Sequence, residues 1–135
     1  MDLGGVTRQM AVGTYFWRGP SGNTWWDPWC AVTPAEPVPV HSPFVGRFRL
    51  LPGAPPTDVR MRVFPVLDAE GSAVVNGLRC WQWPEQEEPV YELPLVREQD
   101  VQLVRRPGLY VVEIWVWWQD TYGDVAYGLL VEVQP

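Results

Sequence analysis

The run Pro107-Gly108-Leu109-Tyr110-Val111-Val112-Glu113-Ile114-Trp115-Val116-Trp117-Trp118 decides how this chain folds. Read with a period of two, Tyr110, Val112, Ile114, Val116 and Trp118 share one face, and Leu109, Val111, Glu113, Trp115 and Trp117 share the other. That alternation is a β-strand. The first face is apolar throughout and belongs in a core. The second carries a carboxylate between bulky apolar residues, so it cannot be sealed in a dry interior unless Glu113 has a partner. Pro107-Gly108 makes a tight entry, and residues 119–124 (Gln-Asp-Thr-Tyr-Gly-Asp) make an exit loop rich in turn formers. Residues 125–133 then return with Val125, Tyr127, Leu129, Val131 and Val133 on one face, which predicts an antiparallel hairpin.

Working back from this hairpin, residues 58–64 set Val59, Met61 and Val63 inward and Arg60 and Arg62 outward. Residues 44–51 set Phe44, Gly46, Phe48 and Leu50 against Val45, Arg47, Arg49 and Leu51. Both read as half-buried strands, joined through 52–57 by a hairpin or a sheet-to-sheet crossing. If they neighbour the central strand, an Arg supplies the partner of Glu113, and another stacks on Trp115 or Trp117. Asn76-Gly77 is a two-residue hairpin signal between short strands at 73–75 and 78–83. Asp68-Ala69-Glu70-Gly71 is a turn, and residues 84–89 (Pro-Glu-Gln-Glu-Glu-Pro) read as a solvated acidic loop, since their spacing matches no calcium loop. Strands at 90–95 and 101–104 bring the count to about eight or nine, the content of a sandwich.

The N-terminal third follows no such pattern. Residues 1–9 read as a mobile or docking arm ahead of a domain spanning 10–135, and 10–17 as a first strand, closed by the turn at 18–23. Thr24-Trp25-Trp26-Asp27-Pro28-Trp29-Cys30 places three Trp within five residues, too dense for one face of a strand. These Trp read as a cap on one end of the β-core; a second reading makes them an aromatic platform that stacks on a sugar ring or inserts into a neighbouring subunit. Residues 34–43, with Pro37 and Pro39 among their prolines, predict an extended chain along the surface or a sheet edge. The single histidine, His41, lies there and reads as exposed and idle.

Composition narrows the function. The 135 residues suit one domain. Fifteen Pro and twelve Gly argue against long helices, and nine Trp would dominate any core they enter. The net charge of -6 disfavours nucleic acid and acidic membranes as partners, because both need a basic surface. No apolar run approaches a membrane span and the N-terminus is not a signal peptide, so the expectation is synthesis in a cytoplasm. Two Cys and one His are too few for a zinc site, and no cofactor is implied. The sequence holds no Gly-x-Ser-x-Gly elbow, phosphate-binding glycine loop or His-Glu-x-x-His, so an enzyme is not expected.

Residues 101–113, in which a leucine-containing strand leads through Pro107-Gly108 to Tyr110, resemble the penultimate strands of immunoglobulin-like sandwiches. Preceded by residues 59–66 and the Asp68-Ala69-Glu70-Gly71 turn, they are similar to the immunoglobulin-like modules of tailed-phage virions, such as decoration proteins and the N-terminal domains of baseplate proteins. The likeness covers residues 58–133. It implies an all-β, single immunoglobulin-like sandwich of antiparallel strands, with Tyr110 as the structural corner tyrosine. Cys30 and Cys80, 50 residues apart, have the separation of an immunoglobulin sheet-to-sheet bridge. In that family the second cysteine follows the corner tyrosine by two residues, a place held here by Val112, so two buried thiols are expected instead.

Two functions stand. One is a structural virion accessory protein, a capsid decoration or a tail- or baseplate-associated component, that self-associates or buries its Trp- and Pro-rich segment against neighbouring subunits. The other is a carbohydrate-binding module using Trp25, Trp26, Trp29, Trp115 and Trp117 as platforms. The first predicts a symmetric oligomer or lattice assembly, the second a monomer with an open aromatic groove.

Overall fold

A computed structural model of the chain describes residues 2–3, 6–19, 22–28, 30–49, 56–66, 73–84, 90–92, 98–118 and 123–135. They contain no helix. The strands are β1 (Asp2–Leu3), β2 (Val6–Thr7), β3 (Ala11–Gly19), β4 (Gly22–Trp26), β5 (Ala31–Pro34), β6 (Val38–His41), β7 (Phe44–Arg49), β8 (Asp58–Pro65), β9 (Ala73–Val75), β10 (Leu78–Trp81), β11 (Val90–Glu92), β12 (Glu98–Leu103), β13 (Gly108–Trp118) and β14 (Gly123–Gln134). The expected all-β sandwich is present. These segments outnumber the eight or nine expected because the N-terminal third, with little clean alternation to read, contributes five besides the expected first strand β3.

β13 is central, as its two-sided apolar character requires. It lies between β8 and β14 in a sheet ordered β11-β8-β13-β14-β3-β4, with β6 running parallel to the far half of β14. A second sheet, β12-β7-β1-β2, packs on the face of Val112, Ile114 and Val116. The main core fills the gap, joining Met61 and Val63 of β8, Phe44 and Phe48 of β7, Leu103 of β12 and Leu129, Val131 and Val133 of β14. The segments at 44–49 and 58–65 therefore lie in different sheets, so the link between them is a crossing rather than a hairpin.

A third, small sheet, β5-β10-β9, covers part of the opposite face. Ala31 and Trp81 meet Phe64, Val111 and Leu130 in a second core, and Ala11, Cys30 and Val32 form a third. Gly128 sets how close this layer comes: a Cβ there would overlap the carbonyl of Val32, so the backbones of β14 and β5 approach as only glycine allows. Asn76 and Gly77 turn β9 into β10 with φ of 53° and 75°, the positive pair that a type I′ hairpin turn requires.

Three expectations are corrected. Residues 2–3 are no arm: they pair with Arg47 and Gly46, and Leu3 is buried in the main core. Cys30 and Cys80 are joined by a disulfide, with Cα atoms 5.5 Å apart, and no described cysteine is free. The bridge ties β10 to the residue before its neighbour β5, instead of crossing between sheets as in immunoglobulins. The third correction concerns the tryptophans. The turns at 68–71 and 119–122 and the loop at 85–89 lie outside the described residues.

Within residues 34–43, Val38–His41 run along a sheet edge as β6, while Pro34 ends β5 in the third sheet. In β6, Val38 and Val40 are buried and Pro39 and His41 exposed, an alternation that lets Pro39 sit in a pairing strand with its ring to solvent.

Candidate functional site

Register fixes which aromatic side chains share a face, since residues opposite one another across neighbouring strands point the same way. Asp58, Trp117, Asp124, Phe16 and Trp25 form one row across β8, β13, β14, β3 and β4. Arg60 and Trp115 lie in the next row on the same face. Val59, Val116, Val125, Tyr15 and Trp26 form a row on the other face. Trp25 thus joins Trp115 and Trp117, while Trp26 faces the opposite way with Tyr15 and Trp17.

Beyond the third sheet, Trp115 and Trp117 stack at 5.8 Å with planes 19° apart. Arg60 caps Trp117 with its guanidinium carbon 5.3 Å from the ring centre, a cation–π contact expected of an outward Arg on the neighbouring strand. Glu113 lies beneath this pair and is 2% exposed. Arg62 donates from Nη2 to its Oε1 at 2.6 Å, Trp115 donates from Nε1 to Oε1 at 2.9 Å, and Trp83 donates from Nε1 to Oε2 at 3.0 Å. Three donors on two oxygens offset the desolvation of this carboxylate. Trp83 follows β10, so Glu113 also fastens the third sheet to the main one. The sequence demanded a partner for Glu113 and pointed to an Arg; nothing in it marked Trp83, 30 residues away and just past the end of β10.

Gly108 and Tyr110 sit where the chain passes from the second sheet into the main one. Tyr110 donates its hydroxyl hydrogen to the carbonyl of Arg106 at 2.8 Å, four residues upstream, which is the bond of a tyrosine corner. Gly108 adopts φ 152°, and a Cβ there would meet the Tyr110 ring at 3.6 Å. Both roles are structural.

The hairpin of β3 and β4 corrects the reading of the Trp cluster as a cap on the core. All five residues of β4 are exposed, with Trp25 at 69% and Trp26 at 41%, and Trp17 of β3 is at 38%. The strand lies at the margin of its sheet, past the cover of either neighbouring layer. Trp17 packs edge-on to Trp118 at 5.6 Å and Tyr15 tilts against Trp26 at 6.4 Å. A shallow depression on the hairpin is lined by Thr14, Tyr15, Phe16, Trp25, Trp26 and Asp27. Trp29 lies outside the described residues. Pro39 is exposed on the β6 edge and Pro37, half-buried, precedes it; neither adjoins the Trp hairpin in the sheet order. Phe16 and Trp17 enter the site unannounced, although the turn signal at 18–23 marked the hairpin that carries them.

Burial raises the carboxyl of Asp124, between Trp117 and Phe16 in its row, above the ordinary value, and raises the phenol of Tyr127 likewise. Among the described residues no three His, Cys, Asp or Glu side chains gather where they would hold a metal ion. No protein-family model, curated protein or solved structure matches this chain.

Proposed function

We infer that the chain is a non-enzymatic interaction protein that buries the β3–β4 hairpin against neighbouring subunits. The observation that carries this reading is the exposure of Trp17, Trp25 and Trp26 on both faces of one marginal hairpin. Covering the exposed part of Trp25 alone, on the order of 100–170 Å², would contribute about 3–4 kcal/mol, the scale of an interface hot spot. Consecutive residues of a strand point to opposite sides, so Trp25 and Trp26, although both border the shallow depression at the hairpin, lie in rows on opposite faces of the sheet and do not form one flat platform. A glycan platform needs its rings on one side; a hairpin inserted between protein surfaces uses both. The resemblance of residues 58–133 to virion modules makes a tailed-phage particle the assembly proposed, with this chain as a capsid decoration or a tail- or baseplate-associated component.

The test compares the wild-type chain with Trp25→Ser/Trp26→Ser by light scattering and tryptophan emission, with a panel of oligosaccharides titrated in parallel. A wild-type oligomer or particle-bound form that the double variant loses, with no glycan response, is the expected result. Saturable glycan binding by a monomer, abolished by Trp25→Ser, would overturn it in favour of carbohydrate recognition.

A further inference from the structure

The free edge of a β-sheet presents unpaired N–H and C=O groups to any other chain, and proteins ordinarily protect such edges with charge, proline or brevity. The other edge strands here are protected. β12 carries Glu98 and Asp100, β5 and β6 contain proline, β2 has two residues, and β9 and β11 have three each. β4 is different. Its five residues, Gly22-Asn23-Thr24-Trp25-Trp26, hold no charge and no proline, all are exposed, and among the described residues they pair with β3 alone.

We propose that β4 pairs antiparallel with β4 of a second copy, about a two-fold axis at Thr24, joining two main sheets into one. This rests on the reading of the hairpin as an interface and names its partner. In that register Trp26 of each copy lies across from Gly22 of the other, and Trp25 across from Asn23. Gly22 leaves room for the indole, since a Cβ built on it would meet nothing within 4 Å. A large ring over a cross-strand glycine is a favourable pairing for a sheet edge. Charge selects the same arrangement. Arg18 lies beside Asn23 at one end of the strand and Asp27 follows Trp26 at the other. Antiparallel pairing brings the Arg18 end of one copy towards the Asp27 end of the next, whereas parallel pairing would set like charges side by side. An interface that uses the same five residues on both sides is self-complementary, as a closed two-fold dimer requires.

Thr24 is the only residue of β4 that meets itself in this register, which makes it diagnostic. It is exposed, so Lys or Glu there leaves the fold intact. The wild-type chain is expected to sediment as a dimer. Thr24→Lys and Thr24→Glu each set like charges in direct opposition and weaken self-association about fivefold, and a mixture of the two variants associates more tightly than either alone. A wild-type chain that stays monomeric at millimolar concentration overturns the edge pairing. So does a dimer insensitive to both Thr24 variants; if Trp25→Ser/Trp26→Ser still dissolves that dimer, the hairpin remains an interface while the edge does not. Loss of Trp-dependent association altogether would remove the functional reading as well.

Discussion

Arg62 Nη2 stands 2.6 Å from Glu113 Oε1, with the carboxylate side chain 2% exposed and the Arg side chain 24% exposed. A buried ion pair is weak evidence of net stabilisation, because both charges lose water. Its removal by halves is costly all the same. Glu113→Ala leaves Arg62 and two indole N–H groups facing a site without an acceptor, and is expected to destabilise the fold by about 3 kcal/mol in urea unfolding. Trp83→Phe, which removes one donor to the same carboxylate, should cost about 1.5 kcal/mol. A Glu113→Ala chain as stable as wild type would mean that the cluster contributes nothing to holding the third sheet in place.

The Cys30–Cys80 bridge closes a loop across a sequence separation of 50 residues. By the entropy lost from the unfolded chain, such a loop stabilises the fold by about 4 kcal/mol. Cys30→Ser/Cys80→Ser, or wild type under reductant, should show a denaturation midpoint lowered to match. Equal midpoints with and without reductant would place the two thiols outside the energetics of the fold.

At the corner before β13, Tyr110→Phe removes the hydrogen bond to Arg106 and should cost about 1 kcal/mol. Gly108→Ala forces an L side chain to φ 152° and should cost at least as much. Urea titration of both single variants and of the double variant reads whether the losses add. A shortfall from additivity is expected, since the Cβ added at position 108 would meet the ring of residue 110.

Asp124 and Asp100 pull stability in opposite directions as pH changes. Burial raises the Asp124 carboxyl above 3.8, so the folded chain keeps a proton that the unfolded chain has lost, and stability from this group falls as pH rises from 3.8 through the raised value. The side-chain hydrogen bond from Arg47 holds Asp100 below 3.8, so its contribution is complete above 3.8 and is lost as pH falls through the lowered value. Asp124→Asn should therefore raise Tm at neutral pH and leave it unchanged well below 3.8. A shift of equal size at every pH in a series of melting curves would rule out burial of the charge as the cause.

How legible all this was in the sequence depended on range. In β13 and β8, inward and outward positions were readable because side chains alternate along any strand and water sorts them. The Arg60–Trp117 and Arg62–Glu113 contacts followed from that alternation once the two strands were taken as neighbours, whereas the Tyr110 corner was an expectation carried by the resemblance of residues 101–113 to immunoglobulin-like strands. Trp25 and Trp26 were visible as a cluster, but their exposure was not, because a Trp-rich segment reads the same whether a core or a partner covers it.

The sequence by itself determined the all-β class, the central hairpin, the inward faces of the strands and the need of Glu113 for a partner, since each depends on residues a few positions apart. Only the tertiary structure decided that a third layer closes over Gly128, that Trp83 reaches Glu113, that Cys30 meets Cys80, and that residues 2–3 join the second sheet beside β7. Those contacts join residues 30 to 96 positions apart, from Trp83 with Glu113 to Val32 with Gly128. No local pattern specifies such a pairing; it is set by which apolar surfaces remain to be buried once the first sheets have formed.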